Sequence, residues 1–112
     1  MNDIIPGKVF YLKDAVNIKP GRIASRRLVL SDIPGMPTSD QEWVLYAMDQ
    51  QETISSETSP QAKVIHVLEG ELHMQVAGQS CQLATGASII VPANTWHEFA
   101  ARKGCKFLQI SI

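Results

Sequence analysis

Soft metal ligands are scarce in this chain, which has two cysteines and three histidines among its 112 residues. So little cysteine excludes a disulfide scaffold and a Cys-rich zinc module. An excess of one charge is also missing, because ten Lys and Arg face eleven Asp and Glu for a net charge of −1. No basic stripe marks a nucleic-acid backbone or an anionic lipid surface, so neither partner is expected. Long apolar runs are absent, and the short ones present cannot span a bilayer as a helix. The opening Met1-Asn2-Asp3-Ile4-Ile5-Pro6 has no basic region followed by an apolar one. A secretory leader is therefore not expected, and Cys81 and Cys105 are read as reduced thiols in a cytoplasm. No histidine adjoins either cysteine in the sequence. Both are expected to be small packing residues rather than nucleophiles.

What is present is a core. Hydrophobic residues make up 45% of the chain and charged residues 19%, enough for one packed domain of this size. The apolar residues come in short runs between Gly, Pro, Asn, Asp and Ser clusters: 9–12, 23–30, 43–48, 64–68, 72–76, 81–84, 88–91, 96–100 and 107–112. Many short strands at regular spacing predict an all-β sandwich or barrel. Ile33-Pro34-Gly35-Met36-Pro37 reads as a surface loop. The expected organisation is a single domain over 1–112, with N-terminal strands and the Pro-rich loop in 1–41 and a barrel core in 42–112.

Around Glu69-Gly70 the pattern predicts a tight hairpin. An even-length loop there would pair Ile65 with Met74, Val67 with Leu72 and His66 with His73. Alternation along the strands separates two faces. Ile65, Val67, Leu72, Met74 and Val76 form an apolar set expected to point inward. Val64, His66, Leu68, Glu71, His73 and Gln75 form the outer set. Extended backwards, the inward set reaches Lys63. The His66/His73 pair is read as surface or interface residues that would charge and repel at mildly acidic pH.

Two segments resemble the cupin superfamily. Val67-Leu68-Glu69-Gly70-Glu71-Leu72 is similar to the strand-turn-strand that ends the first cupin motif. Gly86, five residues, then Pro92-Ala93-Asn94-Thr95-Trp96-His97 is similar to the second motif. Asn94 stands where that motif carries its second glycine, and Ala101 where it carries a final asparagine. The resemblance covers about residues 42–112. It implies a jelly-roll β-barrel (a double-stranded β-helix), a pocket inside the barrel, and a homodimer.

The first motif departs from the pattern of metal-holding cupins, which read His, one residue, His, three or four residues, Glu, six residues, Gly. With six residues between it and Gly70, Lys63 stands where the glutamate would be. The two histidine positions fall on Glu57 and Ser59, or on Ser56 and Thr58. Only His97 is left of the usual ligands. A first-row metal site usually needs three or more imidazole or carboxylate ligands, and an ammonium at Lys63 works against a cation. The expectation is no tightly held metal. A divalent ion (Zn, Mn, Fe or Ni) on His97 and Glu57 is the alternative.

Candidate site residues follow from these positions. The resemblance points His97 into the barrel as a ligand, proton acceptor or hydrogen-bond partner. Lys63 would bind an anion or act as an amine of lowered pKa; the plainer reading is a rim lysine that reaches water or pairs with Glu57. Met74, Trp96 and Phe99 would line the pocket, although aromatic and Met residues at this spacing are more often core. The first functional reading is a small cupin that binds a polar or anionic molecule in its barrel. The alternatives are a metal-dependent dioxygenase or isomerase using His97 and Glu57, perhaps with Gln61, and a structural dimeric barrel without a ligand.

Overall fold

Strand β9 (Cys105–Ser111) is the best-buried element, with only Ile110 short of full burial. Its sequence allows this because both faces carry apolar residues, as expected of a strand covered on two sides. In the computed structural model, which describes residues 4–112, β9 lies at the middle of a five-stranded antiparallel sheet. Met1-Asn2-Asp3 and the side chain of Ser56 lie outside the described residues. The strand order is β1 (Ile23–Leu28), β2 (Glu42–Met48), β9, β4 (Lys63–Glu69) and β7 (Ser88–Val91). A second, four-stranded sheet has the order β3 (Thr53–Glu57), β8 (His97–Ala100), β5 (Leu72–Val76) and β6 (Gln79–Leu83). The fold is all-β, and its two facing antiparallel sheets form a jelly roll.

The core lies between the sheets. Met48, Ile65, Val67, Leu72, Met74, Phe99 and Phe107 are buried in one cluster. Burying each such side chain contributes about 1.5–3 kcal/mol. Phe107 links the layers, stacking on Tyr46 at 5.0 Å and on Phe99 at 5.2 Å between ring centroids. A second cluster sits on the outer face of the larger sheet, where Leu45, Ala47 and Leu108 are covered by Leu12, Val16 and Ile18 of the N-terminal segment. Lys106 fastens that cover, its Nζ donating to the Lys13 carbonyl at 2.7 Å.

Three expectations are corrected here. The apolar run 9–12 forms no strand: Val9 is 88% exposed, and a short 3-10 turn covers Leu12–Asp14. Strand β3 was not predicted because its sequence, Thr-Ile-Ser-Ser-Glu, is polar at four of five positions. It forms because Thr53 and Ile54 pair with Ala100 and Phe99 of β8. The third correction concerns β4 and β5, which belong to different sheets and do not pair. His66 instead faces Leu108 and Ser88, and His73 faces Gln82 and Ala100. Ile65/Val67 and Leu72/Met74 therefore pack across the sandwich rather than side by side. The predicted facing survives, but the His66/His73 pair does not. Gly70 makes the crossing at φ +80°, where a Cβ would stand 2.5 Å from the Gly104 carbonyl oxygen.

Candidate functional site: the Glu57, Lys63 and His97 triad

Alternation along β4 turns Lys63 inward with Ile65 and Val67, and its ammonium group is buried. On β8, His97 points into the same space and is 1% exposed. Pairing of β3 with β8 sets Glu57 opposite His97. The three side chains meet: Lys63 Nζ lies 2.9 Å from Glu57 Oε1 and 3.3 Å from His97 Nε2. Glu57 Oε1 is also 3.4 Å from His97 Nε2.

Hydrogen bonding fixes the roles. His97 Nδ1 is 2.8 Å from the Thr95 carbonyl, which can only accept, so Nδ1 carries the proton. In the neutral ring Nε2 then holds a lone pair, and the Lys63 ammonium donates to it. The local turn supports this placement: Asn94 adopts φ 60°, tolerated by asparagine, and its N–H donates to the Ser59 carbonyl at 2.6 Å. A buried ammonium is costly without a counter-charge. Glu57, whose side chain is 45% exposed, supplies one from the solvent-facing side. Phe99 meets the His97 ring edge-on at 5.6 Å.

The larger sheet adds polar groups to the same wall. Ser111 faces Lys63 on β4 and Glu42 on β2, while Gln109 faces Ile65 and Val44. Both are buried. Tyr46 lies one row further in, beside Phe107. Its phenol is pushed above the usual range by burial and then by the carboxylates of Glu57 and Glu42. Gln109 and Ser111 were not singled out from the sequence. Their signal was the parity they share with Phe107, which places all three on one face.

The remaining sequence candidates are elsewhere. Met74 and Phe99 are core residues, Trp96 is 38% exposed in the turn before β8, and Gln61 is exposed. A groove of about 900 Å³ lies on the outer face of the four-stranded sheet, along His73, Gln75, Gln82 and Glu98, and does not include the triad. His66 Nδ1 is 2.6 Å from Ser88 Oγ, and His73 Nε2 is 2.8 Å from Glu71 Oε1. Cys81 and Cys105 are free. Burial pushes the Cys105 thiol up to about 11, away from nucleophilic use.

The donor set does not fit a divalent metal. Among the described residues no three His, Cys, Asp or Glu side chains cluster. One carboxylate and one imidazole converge, but a lysine ammonium contacts both, at 2.9 Å and 3.3 Å. Two ligands hold a metal weakly, and the ammonium repels it.

Comparison with known proteins gives the fold's relatives. No curated protein matches the chain. Among solved structures, a conserved protein of unknown function from Streptococcus pyogenes superposes with a TM-score of 0.84 at 22% identity, covering 99% of this chain and 91% of that one. A cupin superfamily protein from Desulfitobacterium hafniense gives 0.81 at 21% identity, covering 96% and 94%. A cupin 2 conserved barrel domain protein from Leptotrichia buccalis gives 0.81 at 24%, covering 92% of this chain and 47% of that one. At these identities the likeness is one of fold. Residues 44–111, most of the barrel, match the family model described as Cupin domain. With both sheets, the Gly70 crossing and the His97 turn lying in or beside that span, this chain belongs to the cupin family.

Proposed function

We propose that this cupin binds a small polar or anionic molecule inside its barrel without a tightly held metal, using Glu57, Lys63 and His97 as its polar centre. The observation that carries the reading is the Lys63 ammonium, placed 2.9 Å from Glu57 Oε1 and 3.3 Å from His97 Nε2. A protonated lysine in that position is an internal cation. It satisfies the carboxylate and the imidazole that would otherwise attract a divalent ion. The triad can orient a ligand by hydrogen bonds and pass a proton between Lys63 and His97.

Elemental analysis of untagged, dialysed protein tests the reading. The expected result is far less than one metal per chain, in wild type and in His97→Ala alike. One tightly bound metal per chain that disappears in His97→Ala would overturn it. The convergence of Glu57 Oε1 and His97 Nε2 to 3.4 Å favours a related outcome. Lys63→Glu supplies a second carboxylate in place of the ammonium and is expected to raise zinc affinity sharply.

A further inference from the structure

Two buried polar side chains beside the triad, Gln109 and Ser111, have no hydrogen-bond partner among the described residues. On the inner face of β9, Gln109 is 7% and Ser111 5% exposed. Yet no fully occluded side-chain nitrogen or oxygen among the described residues is left unbonded. Their polar atoms therefore keep some access to solvent, and the strand register places both side chains on the face that carries Lys63 and Phe107. Buried polar groups are nearly always bonded to protein, water or ligand, so water or a ligand is needed to complete these two.

The charges around them are already spent. Glu57 compensates Lys63, and on the same face of the larger sheet Arg27 Nη2 is held by Glu42 Oε2 at 3.2 Å. An incoming carboxylate or phosphate would meet two carboxylates and would have to displace Glu57 from the ammonium. Three neutral groups remain. Gln109 offers an amide donor and an amide acceptor, and Ser111 and Tyr46 each offer a hydroxyl that does either. Burial and the two carboxylates keep the Tyr46 phenol neutral, and stacking on Phe107 fixes its ring. Groups that both donate and accept are matched by ligand groups that do the same, which are hydroxyls and carboxamides.

We infer that the ligand of the barrel is an uncharged molecule rich in hydroxyl or amide groups, held by Gln109, Ser111 and Tyr46 beside the Glu57–Lys63–His97 triad. This rests on the barrel site proposed above and narrows its ligand class from polar or anionic to neutral. Lys63 contributes its remaining N–H, and Glu57 accepts from a ligand hydroxyl at the solvent side.

Matched neutral and anionic probes test it. Amide spectra of the 15N-labelled full chain would be recorded with D-glucose and acetamide, and at equal ionic strength with glucuronate and acetate. Probe concentrations up to about 100 mM suffice for a site of millimolar affinity. The expected result is saturable shifts on β4 and β9 from at least one neutral probe, with its anionic counterpart binding more weakly. Gln109→Leu and Ser111→Ala, each of which keeps the side chain's volume approximately, should each weaken the neutral probe by about threefold to tenfold, the range for one lost hydrogen bond. Tighter saturable binding of the anions at the same strands would overturn the neutral class and leave the barrel site standing. Neutral binding that both variants leave unchanged would overturn the assignment to β9. Shifts from none of the four probes at β4 and β9 would overturn the inference and the barrel site together.

Discussion

Lys63 stands where the resemblance assigns a glutamate, and the substitution changes the sign of the charge at the centre of the barrel. Its ammonium is stable there because Glu57 and His97 accept from it. Removing one partner should therefore cost more than removing the cation. Glu57→Ala is expected to destabilise the fold by about 1–3 kcal/mol, below the figure for a fully buried pair because Glu57 is half exposed. Lys63→Met is expected to be near neutral or stabilising, as when apolar residues replace buried ions. Urea denaturation of both variants reads this, and a larger loss for Lys63→Met than for Glu57→Ala would contradict it. Cys105 gives a pH dependence. Its folded pKa is raised from 9.0 to about 11, so its contribution is complete below pH 9. Between those values stability falls, by up to about 1.4 kcal/mol per pH unit. Cys105→Ala should flatten that slope, and an unchanged slope would count against the burial argument. At this scale much of the site was legible. The second-motif spacing singled out His97, counting back from Gly70 singled out Lys63, and Glu57 was its named partner. Gln109 and Ser111 escaped because a polar residue in an apolar final strand looks like an outward one until the sheet is assembled.

Among the elements, strands with an apolar face were readable and the others were not. The runs that became β1, β2, β4 to β8 and β9 had their apolar periodicity in the sequence, with ends displaced by a few residues. β3 had none, since its stability comes from pairing with β8. The facing of β4 and β5 was legible, but their pairing was not. Alternation says which side chains point inward and does not say whether two strands share a sheet or oppose each other across the core. Gly70 lies at the crossing from one sheet to the other. A Cβ there would press on the Gly104 carbonyl, and the backbone is left-handed at φ +80°. Gly70→Ala is expected to cost about 1–3 kcal/mol from the backbone strain alone, with further loss from the overlap. An unaltered denaturation midpoint would show that the crossing relaxes freely. The N-terminal run misled for a related reason. Of its residues Leu12 joins the apolar cover over Leu45 and Leu108 in an irregular segment that packs without strand pairing, while Val9, Phe10 and Tyr11 are exposed. Lys106→Met removes the bond to the Lys13 carbonyl and should speed amide exchange around residues 12–16 with little change on β9.

For the whole molecule, two sheets close over an apolar interior whose polar wall lies around Lys63, Gln109 and Ser111, while the outer surface carries exposed Val9, Phe10 and Tyr11. No helix among the described residues is long and apolar enough to cross a membrane. In the interior, a lysine ammonium takes up the carboxylate and imidazole that a metal would need. Long-range 1H–15N spectra of the His97 ring, recorded before and after addition of zinc, address it most directly. The expected spectrum shows a ring protonated at Nδ1, with Nε2 unchanged by zinc in wild type and shifted by zinc in Lys63→Glu. A zinc-dependent shift of Nε2 in the wild-type protein would contradict the claim.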